Sequence, residues 1–325
     1  MLKTTATWHQ LFYVCLLAGF VRWTGIVSAL PWPETTITEN PWTQPNIIRI
    51  PFRLSGALIT VQAKVDSIEG TFIFDTGASN LLLNQRYFKS SGFASESGGV
   101  TGKVKVKGKI KADSVIMDEL ERRNITADLI DLSHIERAKK IRVMGIIGYS
   151  VFEGYEILFD YSASVLMLVR HNEKGVLFEK IPDWEYEPID NFPLTVKDHI
   201  AMVTIQFGKK KKIFGLDSGA EQNLLDLVIG KAFLKNNFTV LKRVKLNGTG
   251  QNSVEVMTGN LSNGQLDTFN LRPMATILTN MQDINTIYGT NLEGILGYEF
   301  LSQMPMSINY KKRRITFYRP ASLKP

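Results

Sequence analysis

Phe72-Ile73-Phe74-Asp75-Thr76-Gly77-Ala78 and Phe214-Gly215-Leu216-Asp217-Ser218-Gly219-Ala220 are two copies of one pattern, set 142 residues apart. In each, an apolar run ends in Asp and is followed by a hydroxyl residue, Gly and Ala. One copy alone carries little weight, because Asp-Ser-Gly also describes an ordinary turn. The flanking sequence supplies the weight. At the same offset and without a gap, Ile50-Pro51 falls on Phe192-Pro193, Leu58 on Ile200, Val61 on Val203 and Val65 on Phe207. Each copy therefore reads as two short strands joined by a turn, the second running into the Asp. The turns are expected at 67–70 and 209–212.

Further blocks match in the same order. Gly145-Ile146-Ile147-Gly148-Tyr149 matches Gly294-Ile295-Leu296-Gly297-Tyr298, and Ile157-Leu158-Phe159-Asp160-Tyr161 matches Met306-Ser307-Ile308-Asn309-Tyr310. Apolar strands follow each, at 165–169 and 314–318. Between them, 125–129 resembles 274–278. Order and rough spacing hold throughout, which marks a two-copy internal repeat. A repeat with one Asp per copy can bring two carboxylates together on a pseudo-twofold axis. Close carboxylates cannot both ionise easily and share a proton, which makes an acid/base pair.

The chain has 325 residues, enough for two domains of ordinary size. Its start reads as a signal peptide over 1–29. Lys3 supplies the positive end, 11–21 the apolar stretch, and Val27-Ser28-Ala29 the small-residue cleavage site. Arg22 and the shortness of the apolar run, against the roughly 20 residues a span needs, oppose a transmembrane anchor. The single cysteine, Cys15, lies in that segment. The mature chain then has none, which excludes thiol catalysis, zinc fingers and iron–sulfur clusters, and leaves the core to stand without disulfides.

The net charge is +7, or +5 without residues 1–29, which hold Lys3 and Arg22 and no acids. This favours acidic surfaces but names no partner. Lysines recur at every second position from Lys103 to Lys111, with Val104, Val106 and Ile110 among the alternates. That is a strand with one charged face, read as an edge protected by lysines or as a basic rim beside a binding cleft. His9, His134, His171 and His199 are scattered and show no metal-ligand spacing. There is no phosphate-binding loop, zinc-protease helix or Gly-x-Ser-x-Gly turn. No cofactor, metal or nucleic-acid partner is implied.

Short strands rich in Val, Ile, Phe and Leu, punctuated by Gly and Asn, give a mainly β fold class. Helices are expected over 129–140 and 224–233. The organisation that follows is a signal peptide at 1–29, an extended arm at 30–47, a first lobe at 48–170, a linker at 171–190 that packs against both lobes, and a second lobe at 191–325.

Over residues 48–320 the chain resembles an aspartic protease. Each half resembles a retropepsin-type unit: a strand, Asp-Thr/Ser-Gly-Ala, a glycine-rich hairpin, then two apolar residues and Gly. The two units are fused as in pepsin-like enzymes but more compactly, and secreted bacterial proteins with retropepsin-like halves are similar. The resemblance implies a bilobal acid-protease fold with two pseudo-twofold-related, closed β-barrel-like lobes. It implies an aspartic endopeptidase whose catalytic dyad is Asp75 and Asp217, holding a water between them. Thr76 and Ser218 would cross-brace the lobes. Gly77 and Gly219 would let the backbones approach, beside Ala78 and Ala220. Gly148 and Gly297 would pack against the Asp loops. Flaps would carry Gly99, Val100, Thr101 and Gly102 in the first half, and Gly248, Thr249 and Gly250 in the second.

The partner implied is a peptide or protein substrate in extended form, bound by a monomeric, exported protein of the periplasm or the extracellular space. A non-catalytic peptide-binding protein on the same fold is the alternative. Two departures stand out. The first hairpin lacks the tyrosine of pepsin-like enzymes. Ala78 and Ala220 stand where pepsins carry Ser or Thr, which implies activity at milder acidity than pepsin. Glu221 is expected to face solvent, or else to stand close enough to raise the dyad.

Overall fold

The computed structural model describes residues 45–89, 100–101, 104–106, 108–183, 185–247 and 253–321. Residues 1–44, with the expected signal peptide and most of the arm, lie outside them. The protein is mainly β, a two-lobe arrangement built on three large sheets.

The first lobe closes on itself. Its strands run in the spatial order Leu58–Val65, Ile68–Phe74, Gly145–Ile147, Leu81–Asn84, Leu120–Ile130 and Gly108–Met117. The last strand returns to the first through Lys64 opposite Ile116 and Val65 opposite Val115. Closure removes the free edges of the sheet. It also turns the alternate residues Val61, Phe72, Phe74, Leu81, Leu83 and Ala127 into one packed interior.

The second lobe repeats the central order. Ile200–Phe207, Lys210–Leu216, Gly294–Leu296, Asn223–Asp226, Met274–Thr279 and Ser253–Leu261 are neighbours in turn, with Phe238–Asn247 outermost. It stays a half-barrel. Ile200–Phe207 pairs at Gln206 with the short strand Gln265–Leu266, where the first lobe uses its closing strand. In both lobes the strand after the Asp loop has the same two neighbours. Leu81–Asn84 lies parallel to Leu120–Ile130, and Asn223–Asp226 lies parallel to Met274–Thr279.

The third sheet takes strands from both ends of the chain. Its order is Ile47–Pro51, Val165–Arg170, Tyr155–Asp160, Met306–Asn309, Arg314–Pro320 and Tyr186–Pro193. At its centre Leu158 pairs with Ser307, two residues that also match in the sequence blocks. Every residue of Tyr155–Asp160 and Met306–Asn309 is buried. One apolar core runs through all three sheets, from Ile48 to Phe317.

Several expectations are corrected. The two hairpin turns fall at Asp66-Ser67 and Gly208-Lys209, and strands already begin at Ile68 and Lys210. Asp66 and Gly208 both adopt positive φ, 52° and 58°, the geometry a two-residue turn needs. The helix expected over 129–140 is Ser133–Lys139, after a strand that ends at Ile130. In the stretch expected as a helix over 224–233, Leu224 to Asp226 belong to a strand. A 3-10 turn spans Leu227–Ile229, and the helix is Lys231–Asn237. A short apolar run suits a buried strand as well as a helix, which is why periodicity misplaced it.

The counterpart of Ser133–Lys139 is another helix, Gln282–Tyr288. Both begin after a buried strand and are preceded by an Asx side chain. Asp131 accepts from Ser133 N–H at 2.8 Å, and Asn280 accepts from Gln282 N–H at 2.8 Å. The lysine-rich stretch is split between the hairpin strand Val104–Lys105 and Gly108–Met117, with Val106 buried between them. Among the described residues no helix is long and apolar enough to cross a membrane.

Candidate active site

Two strands deliver the carboxylates. Ile68–Phe74 ends at Asp75, and Lys210–Leu216 ends at Asp217. Each lies parallel to the short apolar strand of its own half. That strand holds the start of the loop in place. Asp75 N–H donates to Ile147 O and Asp217 N–H to Leu296 O, both at 3.0 Å. The next residue, Gly148 or Gly297, then lies flat against the loop. A Cβ at Gly148 would run into the backbone of Asn80 and Ala78, and one at Gly297 into the backbone of Ala220. Tyr149 N–H and Tyr298 N–H close the arrangement on Ala78 O and Ala220 O, at 2.8 and 3.0 Å.

The two loops meet across the lobes. Thr76 N–H donates to Ser218 Oγ, and Ser218 N–H donates to Thr76 Oγ1, both at 3.0 Å. Ser218 Oγ donates in turn to Phe74 O at 3.0 Å. Both hydroxyl residues are buried. The glycines let the backbones come this close. A Cβ on Gly77 would lie 2.7 Å from the Asp217 carboxyl, and one on Gly219 would lie 2.5 Å from the Asp75 carboxyl carbon.

The geometry sets each carboxyl against the glycine of the opposite loop, Asp217 at Gly77 and Asp75 at Gly219, so that the two acids influence each other directly. Each also accepts from its own loop, Gly77 N–H to Asp75 at 2.7 Å and Gly219 N–H to Asp217 at 2.8 Å. Burial raises both above the ordinary carboxyl range. On Asp217 the charge on Asp75 adds to the effect of burial. Asp75 is partly relieved by Asp217, by Gly77 N–H and by His199. Such a pair titrates as a unit rather than as two separate acids.

Two paired rings support the loops from below. Tyr149 meets Tyr310 at 5.0 Å and Tyr161 meets Tyr298 at 5.4 Å, both edge to face and both joining opposite halves. These four tyrosines close the matching sequence blocks, and the fold brings them together under the dyad.

Glu221 does not face solvent. It is 2 % exposed, and Lys139, at the end of the first-lobe helix, holds both its oxygens at 2.5 and 2.6 Å. Ala57 N–H donates to the same carboxylate at 3.0 Å. Burial raises Glu221, and the Lys139 charge offsets part of that rise. The partner lies 82 residues away in the other half, so local sequence gave no sign of it.

Of the flap candidates, Val100 and Thr101 form a two-residue strand paired with Val104–Lys105. Gly99, Gly102, Gly248, Thr249 and Gly250 lie outside the described residues. The hairpin of Phe238–Asn247 and Ser253–Leu261 is paired up to Asn247 opposite Ser253. His199, which shows no metal-ligand spacing in the sequence, stands beside the dyad. Its Nε2 lies 3.0 Å from Gly77 O. Its position 18 residues ahead of Asp217, in the turn before the strand that pairs with the Asp strand, is the signal that would have found it. Among the described residues no group of three or more His, Cys, Asp or Glu converges as a metal site.

No curated protein gives a significant match to the chain. A family model does: residues 61–151, from within Leu58–Val65 through Asp75 and Gly148 into the helix Tyr149–Phe152, match that of the aspartyl proteases, which supports an aspartic-type peptidase.

Proposed function

We propose that the protein is an aspartic endopeptidase of two fused retropepsin-type halves, with Asp75 and Asp217 as its catalytic pair. The observation that carries this is a pair of buried carboxyls, one from each lobe, each lying against the opposite loop and each held by a matching backbone donor of its own loop. One proton on two carboxyls supplies a base and an acid at the same point. The ionised carboxyl takes a proton from a water. The resulting oxygen nucleophile adds to the scissile carbonyl, which the protonated carboxyl polarises. Collapse breaks the C–N bond, and a proton passes to the leaving amine. Water and peptide give one carboxyl and one amine terminus. The substrate is an extended peptide, with the paired strands Val100–Thr101 and Val104–Lys105, and Phe238–Asn247 and Ser253–Leu261, as flap elements that close over it. The enzyme is a monomer, exported after removal of residues 1–29.

The test compares residues 30–325 with the Asp75→Asn variant on a diverse peptide mixture, between about pH 3 and 8, with mass spectrometry of the products. Cleavage is expected from the parent alone. Its optimum is expected at milder acidity than pepsin, because burial raises the pair and Ala78 and Ala220 bring no side-chain hydroxyl to lower it. Binding of the same peptides by both proteins without cleavage by either would replace the enzyme with a peptide-binding module.

A further inference from the structure

The surroundings of the dyad are not symmetric. His199 belongs to the second lobe and lies in the turn that precedes Ile200–Phe207. It crosses to the first lobe, where its Nε2 meets Gly77 O at 3.0 Å. A carbonyl oxygen only accepts, so Nε2 carries the hydrogen. This donor grips the loop of Asp75 two residues after the carboxylate itself. The ring is half-buried and packs edge to face on Tyr288, 5.9 Å between centroids, at the end of helix Gln282–Tyr288.

The equivalent place beside Asp217 is built differently. At the offset of 142, His199 corresponds to Ala57, which has no side-chain donor. Its N–H goes instead to Glu221. The helix end that presents Tyr288 to His199 presents Lys139 in the first lobe, and Lys139 is neutralised by Glu221. Ser79, at the offset of Glu221, carries no charge. Asp75 thus has an ionisable cation at its loop, whereas the cation on the other side is already paired.

Resting on the reading of Asp75 and Asp217 as a proton-sharing pair, we propose that His199 is a positioning residue that divides their labour. It keeps Asp75 as the charged member, which takes the proton from water, and leaves the shared proton on Asp217, which polarises the carbonyl. Its grip on Gly77 O holds the Asp75 loop in register, and an imidazolium at that place favours the ionised carboxyl. The groups around it are the Asp75 carboxyl, whose charge it meets, and the ring of Tyr288. On its own hairpin stand Asp198, which is exposed, and Lys197, whose ammonium is held by Gly289 O. The lowering effect of His199 on Asp75 agrees with this assignment.

Two variants separate grip from charge. His199→Gln keeps an N–H that can reach Gly77 O but cannot become a cation, and His199→Ala loses both. The first readout needs no turnover. The carboxyl-carbon resonances of Asp75 and Asp217 are followed against pH in folded parent and variants. In both variants Asp75 is expected to titrate at higher pH than in the parent, with Asp217 moving less. The second readout is the pH profile of kcat/KM on a peptide. Its acid limb is expected to move to higher pH in both variants. His199→Gln should keep kcat at its optimum within a few-fold of the parent, and His199→Ala should lose more. If Asp75 titrates unchanged in folded His199→Gln, or if both carboxyls move equally, the proposal falls. If no peptide is cleaved but Asp75 still moves, the enzyme reading fails while the asymmetry of the pair stands.

Discussion

Lys139 and Glu221 make the most consequential pair outside the dyad. Their side chains are 10 % and 1 % exposed, so the ion pair sits almost wholly out of water. Two buried charges in contact add little net stability, but either one left alone is expensive. Lys139→Met is therefore expected to cost about 3–5 kcal/mol, and the double variant with Glu221→Gln should recover most of it. The cost has a pH signature. Glu221 is already raised, and removing the cation raises it further. Below its unfolded value of about 4.3 the carboxyl is neutral in both states and the deficit is small. The deficit grows as pH rises through the folded value. Urea unfolding of the three proteins at acid and neutral pH measures this. A deficit independent of pH would mean that lost packing of the lysine stem, not charge, is responsible.

At the scale of elements, the strands that aim the dyad were legible because their information is local. An apolar run ending in Asp, then a hydroxyl residue and Gly, dictates a strand, a sharp loop and a close approach within seven residues. The apolar pairs before Gly148 and Gly297 do the same for the strands beside it. The misreadings lie where structure depends on distant partners or on length alone. Leu224 and Leu225 suit a strand or a helix equally until Met274–Thr279 pairs with them. Nothing near Glu221 announces Lys139. The central sheet adds a polar clamp of the same long-range kind. Glu156 accepts from Asn309 Nδ2 at 2.7 Å and from Ser307 Oγ at 2.5 Å, across the seam between the halves. Glu156→Ala strips that acceptor from two buried donors and is expected to lower stability by about 1–3 kcal/mol, where Glu156→Gln costs less. Equilibrium unfolding of the two variants distinguishes them. Equal losses would show that the clamp is not held by its acceptor oxygens.

For the molecule as a whole, the dyad is a local cost borne by the rest of the fold. Both carboxyls are raised, so the folded state binds a proton that the unfolded chain gives up. The stability tied to that proton is fully present below the unfolded value of about 3.9 and is lost as pH rises through the folded one. Asp217→Asn removes one of the two buried acids. It is expected to abolish turnover and yet raise the melting temperature at neutral pH, with the gain shrinking toward pH 4. Calorimetry of parent and variant across that range reads the difference. A variant less stable than the parent at neutral pH would mean that the interaction between the two acids outweighs the buried charge.

The third sheet also sets a schedule. Its seam joins Tyr155–Asp160 to Met306–Asn309, so the floor beneath the dyad waits for a strand made long after those of the first barrel. The first barrel needs nothing beyond Ile147 to close its ring. During synthesis it can form while the seam strand is still unmade. At about 5–20 residues per second, that leaves an interval on the order of ten to thirty seconds. For much of it the growing chain carries an Asp75 loop that lacks both its cross-brace from Ser218 and the floor beneath it. A protein able to cut peptides would in this way stay harmless to its neighbours on the ribosome, kept inert by the order in which its strands are made.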